Sequence, residues 1–199
     1  MPTESLESLR ARLIAQGAAE SHLPRLAALR ALCERSPHCL GLALVGSFAQ
    51  GVGDRISDLD LAAIVADDRE AEFLSQADEI LGRGEVLNAY GQVRPGQVAF
   101  RKYVYLDFAS CEFHAFNQRA TFKLRRPYLS VWNPQGLLET LEVDEEPPRH
   151  ETFELYPHGD PGLIWELVDC IKWLRRGRTP LAKTYLIKLA RAMEKNVSN

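Results

Sequence analysis

The 199 residues, 46% of them hydrophobic and 26% charged, suffice for one folded domain of about 100–150 residues plus an appendage, and exclude a disordered or fibrous chain. A net charge of −3 provides no overall basic surface and argues against a nucleic-acid partner. Cys33, Cys39, Cys111 and Cys170 form no C-x-x-C pair, which argues against a zinc ribbon or a disulfide framework and fits reduced thiols in a cytoplasmic protein.

The opening "MPTESLESLRARLIAQ" interleaves its charges, and no apolar run approaches the roughly 20 residues that span a bilayer, so neither a secretory leader nor a membrane partner is expected. Leu6, Leu9 and Leu13, then Leu23, Leu26, Leu29 and Leu32, recur at helical spacing with a break near Gly17, which predicts two amphipathic helices between Ser5 and Arg35. After Pro37, "CLGLALVG" reads as a buried strand, and Asp58 to Val65 as a second. A helix is expected from about Arg69 to Leu81, followed by the strand-like segments "GEVLNAYGQ" and "QVAFRKYVYLDFAS" with "RPG" as the turn between them. The segment "RRPYLSVWNPQGLLETL" adds a short strand and an N-P-x-G turn. The acidic, proline-containing run from Glu139 to Glu154 reads as a linker, and two basic helices close the chain around a break at "RGRTP". Helices, then strands, then helices predict an α+β core over 1–150 and a C-terminal helical segment over 151–199.

The stretch "GSFAQGVGDRISDLDLAAIV" carries the chemistry. Strand alternation points Asp58 and Asp60 to one face and Leu59, Leu61 and Ala63 to the other. Two carboxylates so placed repel unless a cation meets them, and Mg2+, a hard ion that takes carboxylate and phosphate oxygens, is the natural partner. Upstream, Gly46 allows close backbone approach, and the amides that open the helix at Ser47 favour an anion. An anion cradle beside a carboxylate claw outlines a nucleoside triphosphate site, with an ordinary helix cap as the plainer reading of Ser47.

"GSFAQG" followed by "SDLDLAAIV" resembles the signature of the DNA polymerase β-like nucleotidyltransferase superfamily, and is most similar to its small-molecule branch, which contains the kanamycin-type antibiotic nucleotidyltransferases. The resemblance covers about residues 40 to 110. It implies a twisted mixed β-sheet flanked by helices, ATP or another triphosphate as co-substrate, Mg2+ as metal, and Gly46, Ser47 and Ser57 near the phosphates. It also implies a third carboxylate on a later strand, which Asp107 in "VYLDFAS" matches in order and context. The reaction it implies transfers AMP to a hydroxyl of a small molecule such as an aminoglycoside, with Asp58, Asp60 and Asp107 as metal ligands. The alternative within the same resemblance is a minimal antitoxin or regulatory protein acting on a partner protein.

A regular strand through Asp107 would turn Glu112 and His114 away; only a bulge or turn near Ser110 brings either into the site. Glu151, Asp160 and Glu166 are the other candidate bases. In the basic tail, Lys183 is the candidate phosphate contact. The acidic run could attract a cationic acceptor or simply solubilise a linker. A tail this short leaves an acceptor pocket with walls that a homodimer would supply.

Overall fold

The architecture is that of a computed structural model, which describes residues 3–146 and 154–197. The leucine periods become helices α1 (Leu6–Ala15) and α2 (His22–Arg35). The Ser5 hydroxyl accepts the Ser8 N–H at 3.1 Å and caps α1, while Leu9, Leu13, Leu26 and Leu29 are buried. The next elements are β1 (Cys39–Leu44), the single turn α3 (Gly46–Ala49), β2 (Asp58–Val65), α4 (Glu70–Leu81), β3 (Val86–Arg94), β4 (Val98–Tyr105) and β5 (Ser110–Asn117). They are followed by β6 (Leu124–Arg125), β7 (Leu129–Trp132), α5 (Leu137–Thr140), β8 (Glu142–Val143), α6 (Asp160–Arg175) and α7 (Thr179–Val197).

The fold is α+β. Six strands form one mixed sheet in the order β3-β4-β5-β2-β1-β7; β2 and β5 are parallel and the other neighbours antiparallel. Helices α1, α2 and α4 pack on one face, over a core that includes Leu59, Leu61, Phe73, Cys111 and Phe113. The alternate residues of the same strands form the opposite face. There Ala43, Ile64, Leu124, Tyr128 and Leu138 bury one end, with Phe116 and Phe122 packed against them. Asp58, Asp60 and Glu112 lie toward the other end of that face and are half-buried.

The segment expected as one strand through Asp107 is two. Tyr105 and Ala109 close a turn, with the Tyr105 N–H donating to the Ala109 carbonyl at 2.9 Å and the Phe108 N–H to the Tyr105 carbonyl at 3.0 Å. Phe108 adopts φ +60 without being glycine. The Asp107 carboxylate accepts the Ala109 N–H at 3.0 Å, a local bond that stabilises such turns. The acidic run is also no plain linker at its start. Glu142 lies in β8, paired with β6, and accepts from the Tyr128 hydroxyl and from Arg126. Glu145 pairs with Lys123 at 2.7 Å and Arg125 at 2.9 Å.

The chain divides into two units, residues 1–147 and 148–199. In the second, α6 and α7 bury Cys170, Trp173 and Ala182 with Leu181 and Tyr185 against them. No described helix is long and apolar enough to cross a membrane.

Candidate active site

β2 is apolar from Leu61 onward, and its alternation leaves Asp58 and Asp60 together on the face opposite α1, α2 and α4. The parallel register with β5 sets Ser110 opposite Asp58 and Glu112 opposite Asp60. Opposed residues of paired strands share a face, with strands about 4.8 Å apart. The turn near Ser110 therefore brings Glu112 beside Asp60, where an unbroken strand would have turned it away. One row runs across four strands as Asp60, Glu112, Lys102 and Tyr90.

The carboxylates of Asp58 and Glu112 have defined partners. The Ser110 hydroxyl donates to Asp58. Lys102 Nζ lies 2.8 Å from Glu112 Oε2, and His114 Nε2 lies 2.7 Å from Glu112 Oε1. An ionised carboxylate only accepts, so His114 carries its proton on Nε2. The imidazole is stacked between Phe100 and Phe116, at centroid distances of 5.3 and 5.4 Å.

Asp60 also explains Gly46. A Cβ on Gly46 would stand 2.0 Å from Asp60 Oδ2, and φ is +69. The Val45 N–H donates to the Asp60 carbonyl at 2.9 Å, holding the Gly46-Ser47 turn against β2. The glycine thus makes room for a carboxylate of the same site. Ser47 does not cap α3, whose cap position is Val45. Ser57 is 2% exposed and committed to its own loop: its hydroxyl donates to Asp54 Oδ1 at 2.9 Å and accepts the Asp54 N–H at 3.0 Å. These two bonds close the loop that leads into β2. His22, a residue that sequence reasoning passed over, pins the same loop from α2, with Nε2 3.1 Å from the Ser57 carbonyl. Burial lowers its pKa and keeps it neutral.

Asp107 is exposed in the β4–β5 turn, and besides its bond to Ala109 it accepts the Ser21 hydroxyl at 3.2 Å. It does not join the Asp58–Asp60–Glu112 row. Lys183 is exposed on α7 of the second unit. There Asp160 accepts the Tyr156 hydroxyl, and Glu166 accepts the Tyr185 hydroxyl at 2.8 Å and the Tyr156 N–H at 2.9 Å. Those two carboxylates are spent on holding their own unit together. Glu151 lies outside the described residues.

Among the described residues no group of three or more His, Cys, Asp or Glu is assembled to hold a metal ion. The oxygen donors of Asp58 and Asp60, on one half-buried face, nevertheless suit a hard ion such as Mg2+.

Burial alone would raise the Glu112 carboxyl; the His114 hydrogen bond and the Lys102 charge overcome it and push it down to about 2. A carboxyl lowered on folding contributes stability that is fully present above the ordinary value of 4.5 and is lost as pH falls toward 2. Glu112→Gln should therefore be less stable than wild type at pH 7, by on the order of 2 kcal/mol. Denaturant melts should show this gap narrowing steadily between pH 4.5 and 2.5; a gap that is constant with pH would contradict the assignment.

No family model and no curated protein matches the sequence. Among solved structures, that of Cid1 in complex with its short product ApU is similar, with a TM-score of 0.34 and 18% identity. The match covers 57% of this chain and 36% of Cid1, so the chain spans about a third of that protein's length.

Proposed function

We propose that this chain is a nucleotidyltransferase that moves a nucleoside monophosphate, AMP from ATP, onto a hydroxyl of a small molecule. The observation that supports this best is the placement of Asp58 and Asp60 on one half-buried face, with Glu112 in register beside them and the Gly46-Ser47 turn packed against Asp60. This is the arrangement that a carboxylate claw next to a phosphate cradle requires, and it joins the two halves of the sequence signature in space.

In the reaction the acceptor oxygen bonds to the α-phosphorus as its hydroxyl proton passes to water, the bond from that phosphorus to the bridging oxygen breaks, and pyrophosphate leaves with the electron pair. Bound Mg2+ would supply charge neutralisation for the phosphates. Asp58 and Asp60 would hold it, and the backbone of the Gly46-Ser47 turn would receive phosphate oxygens. Glu112, an ionised carboxylate held in place by Lys102 and His114, would orient the attacking hydroxyl through a remaining lone pair. We assign the third-carboxylate role to Glu112 in preference to Asp107. Ion pairing of Glu142 and Glu145 inside the first unit leaves those two already matched by cations, so the acidic run no longer favours a cationic acceptor over a neutral one.

The test is incubation with each of the four triphosphates, Mg2+ and a panel of hydroxylated acceptors, followed by mass spectrometry for acceptors heavier by one nucleoside monophosphate. Wild type should form such a product, Asp107→Asn should keep rates within a few-fold, and Glu112→Gln should lose on the order of 100-fold or more. The reverse order for the two variants would return the third-carboxylate role to Asp107. Absence of both product and Mg2+-dependent triphosphate binding in wild type would overturn the function.

A further inference from the structure

We infer that the site takes one divalent ion per chain, held by Asp58 and Asp60, and that the Lys102 ammonium is the resident cation at the position where a second ion would otherwise bind. The inference rests on the triphosphate reading above, and concerns how the site meets its charge.

A second ion shared among three carboxylates would sit about 3.5–4 Å from the first and draw on an oxygen of the third carboxylate. Both Glu112 oxygens are already engaged, Oε2 by Lys102 Nζ at 2.8 Å and Oε1 by His114 Nε2 at 2.7 Å. Lys102 is not a passing surface residue. It stands on β4 in the same cross-sheet row as Asp60 and Glu112, its side chain is 16% exposed, and that of Glu112 is 26% exposed. Removing a cation from a partly buried pair costs more than breaking a surface pair, because the carboxylate left behind has less water to replace it. A second divalent ion enters only by displacing Lys102. The parallel β2–β5 pairing and the antiparallel β4–β5 pairing fix this geometry in the backbone, so the lysine is built into the row by register.

Mn2+ and a non-hydrolysable ATP analogue, with binding counted by calorimetry and read by electron paramagnetic resonance, test this directly. Wild type saturated with the analogue should bind one equivalent of Mn2+ with the spectrum of an isolated ion. Lys102→Met should bind two, with the broadened spectrum of a coupled pair. Lys102→Arg, which retains a cation and controls for loss of fold, should bind one. Two coupled ions in wild type, or one ion in a folded Lys102→Met, would overturn the inference while leaving the function standing. No Mn2+ bound to wild type in the presence of the analogue would count against the triphosphate reading itself.

Discussion

Asp60→Asn should lower nucleotidyl transfer by on the order of 10³-fold while leaving the fold intact, since neutralising the charge that develops on transferred phosphates is worth several kcal/mol and each 1.36 kcal/mol is tenfold in rate. Asparagine has the same size and occupies the same space against Gly46, so the turn need not move. What the variant lacks is one of the two negative charges that would hold the metal. Asp58→Asn should behave similarly, and with an effect that does not add to the first, because both carboxylates would serve one ion. Melting curves of the variants should stay close to wild type. A variant that transfers at wild-type rate would remove Asp60 from the site.

Gly46→Ala has the second largest expected effect, and it reports on geometry where Asp60→Asn reports on charge. Two costs fall on the same residue: a left-handed backbone that an L side chain occupies at about 1–2 kcal/mol, and a Cβ that would stand 2.0 Å from Asp60 Oδ2. The carboxylate must rotate away or the turn must lift from β2, and either separates the phosphate cradle from the claw. Metal-dependent triphosphate affinity should fall at least tenfold, with a stability loss of about 2 kcal/mol or more. Asp60→Ala removes the atom that is struck, so in that background Gly46→Ala should cost distinctly less stability. Additive losses in this double-mutant cycle would show that the glycine is needed for its backbone angle alone.

The helices and the first two strands were legible because local spacing decides them. Leu9 with Leu13, and Leu26 with Leu29, recur at the helical period, and Leu59, Leu61 and Ala63 alternate with the aspartates at the strand period. The pairing of Asp58 with Asp60 follows from that alternation alone. Sequence reasoning keeps Glu112 only as a candidate that a bulge or turn near Ser110 would bring in, for a definite reason. The turn at Leu106–Ala109 contains neither glycine nor proline, and Phe108 takes up a positive φ without being glycine. Counting parity through an unnoticed turn places every later side chain on the wrong face. The signal that was available is Asp107 itself, whose short carboxylate bonds the amide two residues on and so marks a turn as readily as a metal site. The parallel pairing of β2 with β5 is a long-range contact that no local pattern encodes. Long-range contacts also account for the start of the acidic run. Glu142 and Glu145 read by composition as solvated, yet their cationic partners Lys123, Arg125 and Arg126 lie some twenty residues upstream in the folded unit.

The central claim is that Asp58 and Asp60 form one metal-linked triphosphate site. It is tested most directly by the linkage between Mg2+ and ATP in thermal unfolding, with wild type and Asp60→Asn compared at equal concentrations. Ligands that bind only the folded state raise its stability by mass action. In wild type, Mg2+ and ATP together should raise the Tm well beyond the sum of their separate shifts, and in Asp60→Asn the joint excess should vanish. Equal joint shifts in the two proteins, or no joint excess in wild type, would contradict the account.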